Sequence, residues 1–237
     1  MNENNLLIFA QFLLIGFTIR LCLTKDVLLL QHFVAPSFKK FVKEFSAKIG
    51  DTWYRDEVYD DAILMEKSEF KQVYLRHQKA IAQVWRGDFV KAVETINAIA
   101  SSKDENIFPQ NCLDLTLMCH VFSGEYAKAH ICEQQCRYLW KLAHSQNHSV
   151  RFLRGLIEYS HGRFHSAQQH FEYAVAGCSE RAAAASWYYL SLIHKNAWDM
   201  ETSNAYRSKL YGLDSHFWFM KILPVTDNQT EGQCDEN

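Results

Sequence analysis

The sequence predicts an all-α protein made of antiparallel helical hairpins, and three observations lead to that prediction. Only three prolines and nine glycines occur in 237 residues, fewer than a protein of strands and turns needs. Apolar residues recur at helical spacing through the middle of the chain. A turn pattern, glycine followed by an aromatic two residues on and alanine five residues on, occurs three times at spacings of 37 and 38 residues. Such a period is typical of stacked helical units, which bind other molecules more often than they catalyse.

The first 70 residues are predicted to be a helical lead-in that starts with a hydrophobic helix. Residues 6–19 carry no charge, and apolar residues continue to Leu23. A bilayer-spanning helix needs about 20 such residues, so two alternatives stay open: a helix packed on the rest of the chain, or a membrane anchor formed by residues 6–23. In the second case the lysines and arginines that follow would keep the rest of the chain on the cytosolic face of an organelle. The leader Met1–Asn5 has no positive charge, which disfavours a cleaved signal peptide.

Two more helices are predicted within the lead-in. Pro36 interrupts the first helical region, and apolar residues then follow at helical spacing up to Ile49, with lysines between them. Gly50 and Asp51 are typical of a helix stop and the next helix start. Residues 52–70 place aromatic and aliphatic residues among many acids, which favours another short helix.

Residues 71–211 are predicted to form four hairpins, followed by a C-terminal tail at 212–237. The hairpins cover about 71–108, 109–146, 147–180 and 181–211. The last three helix pairs are predicted at 111–123 with 126–142, 149–161 with 164–177, and 181–195 with 198–211. In the fourth turn, Asn196, Trp198 and Glu201 are assigned to the glycine, aromatic and alanine positions of a degenerate copy.

Each residue of the turn pattern is predicted to have a structural role. Glycine suits a tight turn between antiparallel helices because it adopts positive φ without a steric cost. The aromatic covers the turn from the start of the second helix, and the small alanine lets the two helix backbones approach. The turn residues are Gly87, Phe89 and Ala92, then Gly124, Tyr126 and Ala129, and finally Gly162, Phe164 and Ala167.

These turns resemble the tetratricopeptide repeat (TPR), a helix–turn–helix unit of about 34 residues. The third hairpin matches best, since Gly155, Phe171 and Ala174 also fall at family positions. The resemblance covers roughly residues 73–210 and implies a short right-handed superhelix whose concave groove is lined by the first helix of each hairpin. By family position the partner-binding residues are Tyr74, His77, Ile81, Trp85, Asn111, Asp114, Met118, Phe122, Ser149, Phe152, Leu156 and Tyr159. Because this lining is mostly apolar, it suits a helix or peptide of a partner protein.

Composition excludes two classes of protein. The net charge is −2 and lysines and arginines are spread along the chain, so nucleic acid is not an expected partner. Seven cysteines, an odd number without framework spacing, do not fit a secreted disulfide scaffold. Free thiols in a reducing compartment, and therefore a cytoplasmic location, are predicted instead.

A zinc or thiol site can be drawn from the sequence. Cys132 and Cys136 are one helical turn apart, with Cys119, His120 and His130 near them in sequence. The cysteines fall where small core residues are needed and form no paired C-x-x-C motif, which favours a packing role. No phosphate-binding glycine loop, G-x-S-x-G or H-E-x-x-H motif occurs. The sequence therefore predicts no catalytic residue, no metal and no cofactor.

The sequence as a whole predicts a non-enzymatic protein–protein interaction adaptor or scaffold within a larger intracellular complex. The first alternative is the same adaptor anchored to a membrane by residues 6–23. The second alternative, from another functional class, is a helical zinc-binding or thiol-dependent enzyme. The sequence specifies neither the protein partner nor the oligomeric state.

Overall fold

The chain folds into helices that pack neighbour to neighbour along the sequence. A computed structural model describes residues 36–100, 109–142 and 147–223. The helices in these residues are α1 (Pro36–Ile49), α2 (Asp56–Met65), α3 (Glu69–Arg86), α4 (Phe89–Ala100), α5 (Pro109–Phe122), α6 (Tyr126–Leu142), α7 (His148–Ser160), α8 (Phe164–Val175), α9 (Glu180–Asn196) and α10 (Met200–Ser208), with 3₁₀ turns at Gly50–Thr52 and Trp218–Lys221. Every regular element within the described residues is helical, which confirms the predicted all-α class. The apolar stretch 6–23 lies outside them.

Four helix pairs make up the body of the fold. The pairs are α3 with α4, α5 with α6, α7 with α8, and α9 with α10. The second helix of each of the first three pairs also packs on the first helix of the next pair. In addition the first helices contact one another in sequence order, α3 with α5, α5 with α7 and α7 with α9. One continuous core therefore runs through the pairs.

Side-chain caps fix where several helices begin. The Asn147 carboxamide oxygen accepts hydrogen bonds from the backbone N–H groups of Ser149 at 2.9 Å and Val150 at 3.3 Å, at the start of α7. Asp199 accepts from the Thr202 N–H at 3.1 Å at the start of α10. Caps of this kind satisfy N–H groups that have no partner within the helix.

Glycines in the left-handed conformation end three of the first helices. Gly87, Gly124 and Gly162 have φ angles of 93°, 75° and 73°. The residue after each glycine donates its backbone N–H to the carbonyl oxygen five residues earlier, as Arg163 does to Glu158 at 2.9 Å. This hydrogen bond is the mark of a Schellman ending, which reverses the chain within a few residues.

The fourth turn has the same geometry in a register that differs from the prediction. The Asp199 N–H donates to the His194 carbonyl oxygen at 2.9 Å, and Trp198 has a φ of 61°. Trp198 therefore stands at the glycine position, Met200 at the aromatic position, and the buried Ser203 at the alanine position. The predicted fourth copy is wrong by two residues at all three positions, because no glycine marks this turn in the sequence.

The lead-in helices α1 and α2 form a smaller hydrophobic cluster with one side of α3. Its buried members are Phe45, Tyr59, Leu75 and Ala82. The ring of Tyr74 joins this cluster, 5.3 Å from Phe38 and 6.3 Å from Phe41 of α1. The opposite side of α3 faces the core of the hairpins, so α3 connects the two.

Candidate functional site

The first helices of the four pairs meet in an aromatic interior. The Trp85 ring centroid on α3 lies 5.9 Å from that of Phe122 on α5 and 6.5 Å from that of Phe152 on α7. Phe122 is in turn 6.2 Å from Tyr189 on α9. Since Trp85 reaches a helix two pairs away, the first helices converge. We call the surface formed by Trp85, Phe122, Phe152, Tyr188 and Tyr189 the inner face.

Residues 214–223, which we call the covering segment, pack against the inner face. Trp218 lies 5.1 Å from Phe122 and 5.3 Å from Tyr188, measured between ring centroids. Phe219 is fully buried, with its ring centroid 5.7 Å from that of Tyr188 and the two ring planes 26° apart. The segment therefore bridges α5 and α9 with two consecutive aromatic side chains.

The covering segment also reaches the first helix pair and the connection before α2. The Phe217 ring lies 6.3 Å from Trp85 and 5.8 Å from Trp53. Trp218 packs on the first turn so closely that a β-carbon built on Gly87 would lie 2.7 Å from Trp218 Cβ. The absence of a side chain at Gly87 is therefore needed twice: it permits the positive φ of the turn and leaves room for Trp218.

Two hydrogen bonds tie the ends of the covering segment to the start of the array. The Trp53 Nε1–H donates to Asp214 Oδ2 at 2.8 Å, across 161 residues of sequence. Lys221 Nζ donates to the carbonyl oxygen of Arg86 at 3.0 Å, across 135 residues. These bonds join the covering segment to the connection before α2 and to the end of α3.

Arg86 holds the connection on which the segment rests. Its guanidinium donates to the Tyr54 carbonyl oxygen, to Asp56 Oδ1 at 3.0 Å and to Asp88 Oδ2 at 2.5 Å. The Tyr54 ring stacks on the His216 ring with centroids 3.6 Å apart. Arg86 therefore positions both a stacking surface for the segment and, through its own carbonyl oxygen, an acceptor for it.

One polar atom of this interface is buried without compensation. Trp218 Nε1 has no hydrogen-bond partner among the described residues. An unsatisfied buried donor costs about 1–3 kcal/mol relative to the same group in water. The covering segment is therefore held by its aromatic contacts against an opposing polar cost.

Three of the predicted groove residues, Trp85, Phe122 and Phe152, belong to the inner face, and several of the others are also buried. The buried ones are His77, Trp85, Met118, Phe122, Phe152 and Leu156. Ile81, Asp114 and Tyr159 are half-buried, Ser149 is exposed, and Tyr74 lies against α1 as described above. Asn111 lies within α5, and its side chain is outside those described. Among the predicted groove residues, Trp85 and Phe122 contact the covering segment directly, so a partner reaches these two rings only if the segment moves.

His77 belongs to the buried core rather than to a polar binding surface. Burial lowers the pKa of its imidazole to about 4. The ring is therefore neutral near pH 7, since a buried cation is disfavoured.

The aromatic residues of the turns differ in their surroundings. Phe89 packs 6.1 Å from Phe122 and 6.0 Å from Trp218, and so joins the inner face. Tyr126 and Phe164 lie at the surface. The alanines at the following turn position, Ala92, Ala129 and Ala167, are all buried.

The cysteines around the second hairpin are core residues. Cys119, Cys132 and Cys136 are buried. Burial raises the pKa of the Cys119 thiol to about 12 and raises that of Cys132 as well. A thiol that stays protonated is a poor nucleophile and a poor zinc ligand.

A polar cluster links α6 to α7. The His130 and His161 rings stack with centroids 3.8 Å apart, and His161 Nε2 lies 2.8 Å from Oε2 of the buried Glu133. Across the described ranges, no three His, Cys, Asp or Glu side chains are placed to hold a metal ion together. The cluster therefore reads as an interhelical contact.

Sequence reasoning missed the covering segment. The run Phe217-Trp218-Phe219 is a signal for it, because three consecutive aromatic residues are unusual in a chain end taken as a tail. Its binding place could not be read from the sequence, since the segment follows no repeat period.

The fold and the inner face define this protein as an all-helical array of neighbour-packed hairpins. Comparisons of the chain with protein-family models, with curated proteins and with solved structures return no match. None of the helices in the described parts of the chain is both long and apolar enough to cross a membrane.

Proposed function

We propose that this chain is a non-enzymatic TPR-like adaptor whose inner face binds a segment of a partner protein. The observation that carries the proposal is the covering segment itself. A short stretch of chain with a single 3₁₀ turn lies across α3, α5 and α9 through Phe217, Trp218 and Phe219. A surface that accepts such a stretch in cis has the size and apolar character for a peptide of another protein.

The way in which the helices contact one another along the chain supports the same assignment to a helical-repeat adaptor. Each first helix contacts the next first helix, and each of the first three second helices packs on the following pair. A glycine with positive φ forms the turn between the two helices in each of the first three pairs. The resemblance to the tetratricopeptide repeat implies that the first helices line the concave surface that binds partners.

The chemistry of the thiols favours an adaptor over a thiol enzyme. Burial raises the pKa of the Cys112 and Cys178 thiols to about 11 and that of the Cys119 thiol to about 12. An activated cysteine needs the opposite shift.

A cytoplasmic location within a larger assembly belongs to this proposal, with membrane tethering through residues 6–23 as its alternative. Carbonate extraction of membranes distinguishes the two, because a spanning helix resists it.

Site-specific photo-cross-linking tests the proposal. Benzoylphenylalanine in place of the half-buried Tyr159, next to Tyr189 of the inner face at 4.7 Å, samples partners on this side of the third pair. The same replacement at the exposed Tyr173 on α8 is the matched control. We expect a defined protein cross-linked from position 159 and not from position 173. Cross-links from 173 alone would move binding to the outer helices, and a folded chain that cross-links from neither position would contradict the adaptor role.

A further inference from the structure

We infer that the covering segment is a built-in competitor, and that the partner displaces it with a segment of the same chemistry: an acidic residue, then a run of aromatic residues, then a basic residue. This inference rests on the proposed function and adds to it the kind of partner and the way in which access is controlled.

The order of chemical groups along the segment gives the recognition pattern. Asp214 comes three residues before the aromatic run and Lys221 comes two residues after it. Trp53 Nε1–H is a fixed donor for the acid, and the Arg86 carbonyl oxygen is a fixed acceptor for the base. A partner segment lying in the same direction would satisfy both groups, and one lying in reverse would present the wrong charge at each end.

The partner segment is expected to be aromatic because aromatic rings of the inner face are uncovered when the covering segment leaves. The rings of Trp85, Phe122 and Tyr188 would then face solvent together. Exposed apolar surface of this kind favours an apolar occupant, and aromatic pairs add a geometric preference to the burial of area. An aromatic segment of a partner therefore replaces the covering segment better than a polar one does.

Several features allow the segment to leave without unfolding the array. The fully buried Leu210 anchors the chain after α10, and Gly212, with a φ of 88°, lies between that anchor and the segment. Within the segment, the Met220 and Ile222 N–H groups donate to carbonyl oxygens only three residues earlier, at 3.0 and 3.3 Å. The buried, unpartnered Trp218 Nε1 opposes the closed state, and a partner that offers an acceptor there gains over the segment.

Peptide binding to the full chain tests the inference. The probe is a fluorescein-labelled peptide with the sequence of residues 213–223, titrated by fluorescence anisotropy into the wild type, Trp218→Ala and Tyr211→Ala. Tyr211 is exposed and precedes Gly212, so its variant is the matched control. We expect Trp218→Ala to bind the peptide at least about tenfold more tightly than the other two, because the inner face is then open for a larger fraction of the time. A scrambled peptide should bind none of them.

Equal weak binding to wild type and a folded Trp218→Ala chain would overturn the inference. If that variant does not fold, hydrogen exchange of the wild-type chain decides. Amides of Met220 and Ile222 should then exchange through an opening of lower free energy than the amides of α9. Equal protection would mean that the segment opens only with the whole array, and would overturn the inference. A failed peptide titration with cross-links retained at position 159 removes the inference and leaves the proposed function. Peptide binding without any cross-linked partner shows that the segment can be displaced, but it contradicts the proposed function and with it the part of the inference that names a partner.

Discussion

Gly87 and Trp218 are packed so closely that any side chain at position 87 would collide with Trp218. A β-carbon built on Gly87 would lie 2.7 Å from the β-carbon of Trp218. The first residue follows the end of α3 and the second lies in the covering segment, 131 residues later in the sequence. Their contact links the position of the covering segment to the conformation of the first hairpin turn.

Three glycine-to-alanine substitutions separate the cost of a positive φ angle in the turn from the cost of the collision with Trp218. Gly87, Gly124 and Gly162 all have positive φ, so replacement by alanine should cost each variant about 1–2 kcal/mol of unfolding free energy. A β-carbon at Gly124 or Gly162 meets nothing within 4 Å. Gly87→Ala should therefore lose roughly 1–3 kcal/mol more than the other two, the usual cost of overpacking. Urea denaturation followed by circular dichroism measures all three, and equal losses would show that the Trp218 contact does not constrain the turn.

Replacing Trp198 by glycine should stabilise the protein. Trp198 has a φ of 61° and a side chain that is 90% exposed, so it carries backbone strain with little burial in return. Trp198→Gly should raise the unfolding free energy by about 1 kcal/mol, since glycine adopts this conformation freely. Trp198→Ala keeps the strain and should change stability much less. Similar effects of the two substitutions on thermal melting would assign the change to the indole and not to the backbone.

Stability should fall as the pH is lowered from 6.5 to 4, and His77 should be one cause. Burial lowers the pKa of His77 from its ordinary 6.5 to about 4 in the folded chain. Between these values the unfolded chain binds a proton that the folded chain does not, so His77 contributes stability in full above pH 6.5 and loses it progressively toward pH 4. The slope is at most about 1.4 kcal/mol per pH unit for one proton.

Urea titrations at several pH values check this dependence. His77→Phe should flatten the slope between pH 6.5 and 4, whatever its effect on stability at pH 7. His165→Asn, at an exposed position of α8, is the control and should keep the slope. If both variants retain it, the acid sensitivity comes from other groups.

Met118→Glu should unfold the array instead of only blocking a binding surface. Met118 is 6% exposed within the main core, so the substitution would bury a carboxylate without a designed partner. Such changes cost several kcal/mol, on the order of the stability of a whole domain. Met118→Leu conserves volume and should cost less than about 1.5 kcal/mol. Loss of far-ultraviolet circular dichroism in the glutamate variant at room temperature is the expected result, and a folded Met118→Glu chain would place the residue on an accessible surface.

The sequence predicted the local parts of the fold well, because neighbouring residues encode them. The predicted pair 149–161 and 164–177 compares with observed helices at His148–Ser160 and Phe164–Val175. Gly162 adopts the positive φ that the turn pattern calls for. The fourth turn was misplaced by two residues because its left-handed position holds Trp198, and a tryptophan gives no local signal for that conformation.

The candidate site was predictable only in part. Helical spacing placed Trp85, Phe122 and Phe152 on the first helices, and these residues do lie together. Spacing does not reveal how far the first helices converge. The groove was implied by the resemblance to the tetratricopeptide repeat, and neither the resemblance nor the spacing gave a place for Trp218.

The sequence by itself determined the all-helical class and the turns at Gly87, Gly124 and Gly162, since both depend on short-range spacing and backbone preference. Only the tertiary structure decided that residues 214–223 cover the inner face. That contact joins Trp53 to Asp214 across 161 residues, through ring packing and single hydrogen bonds that leave no periodic trace in the chain. The contact between Trp53 and Asp214 depends on how every helix pair between these two residues packs. The last hairpin has a fixed position relative to the first only when all the helices have packed.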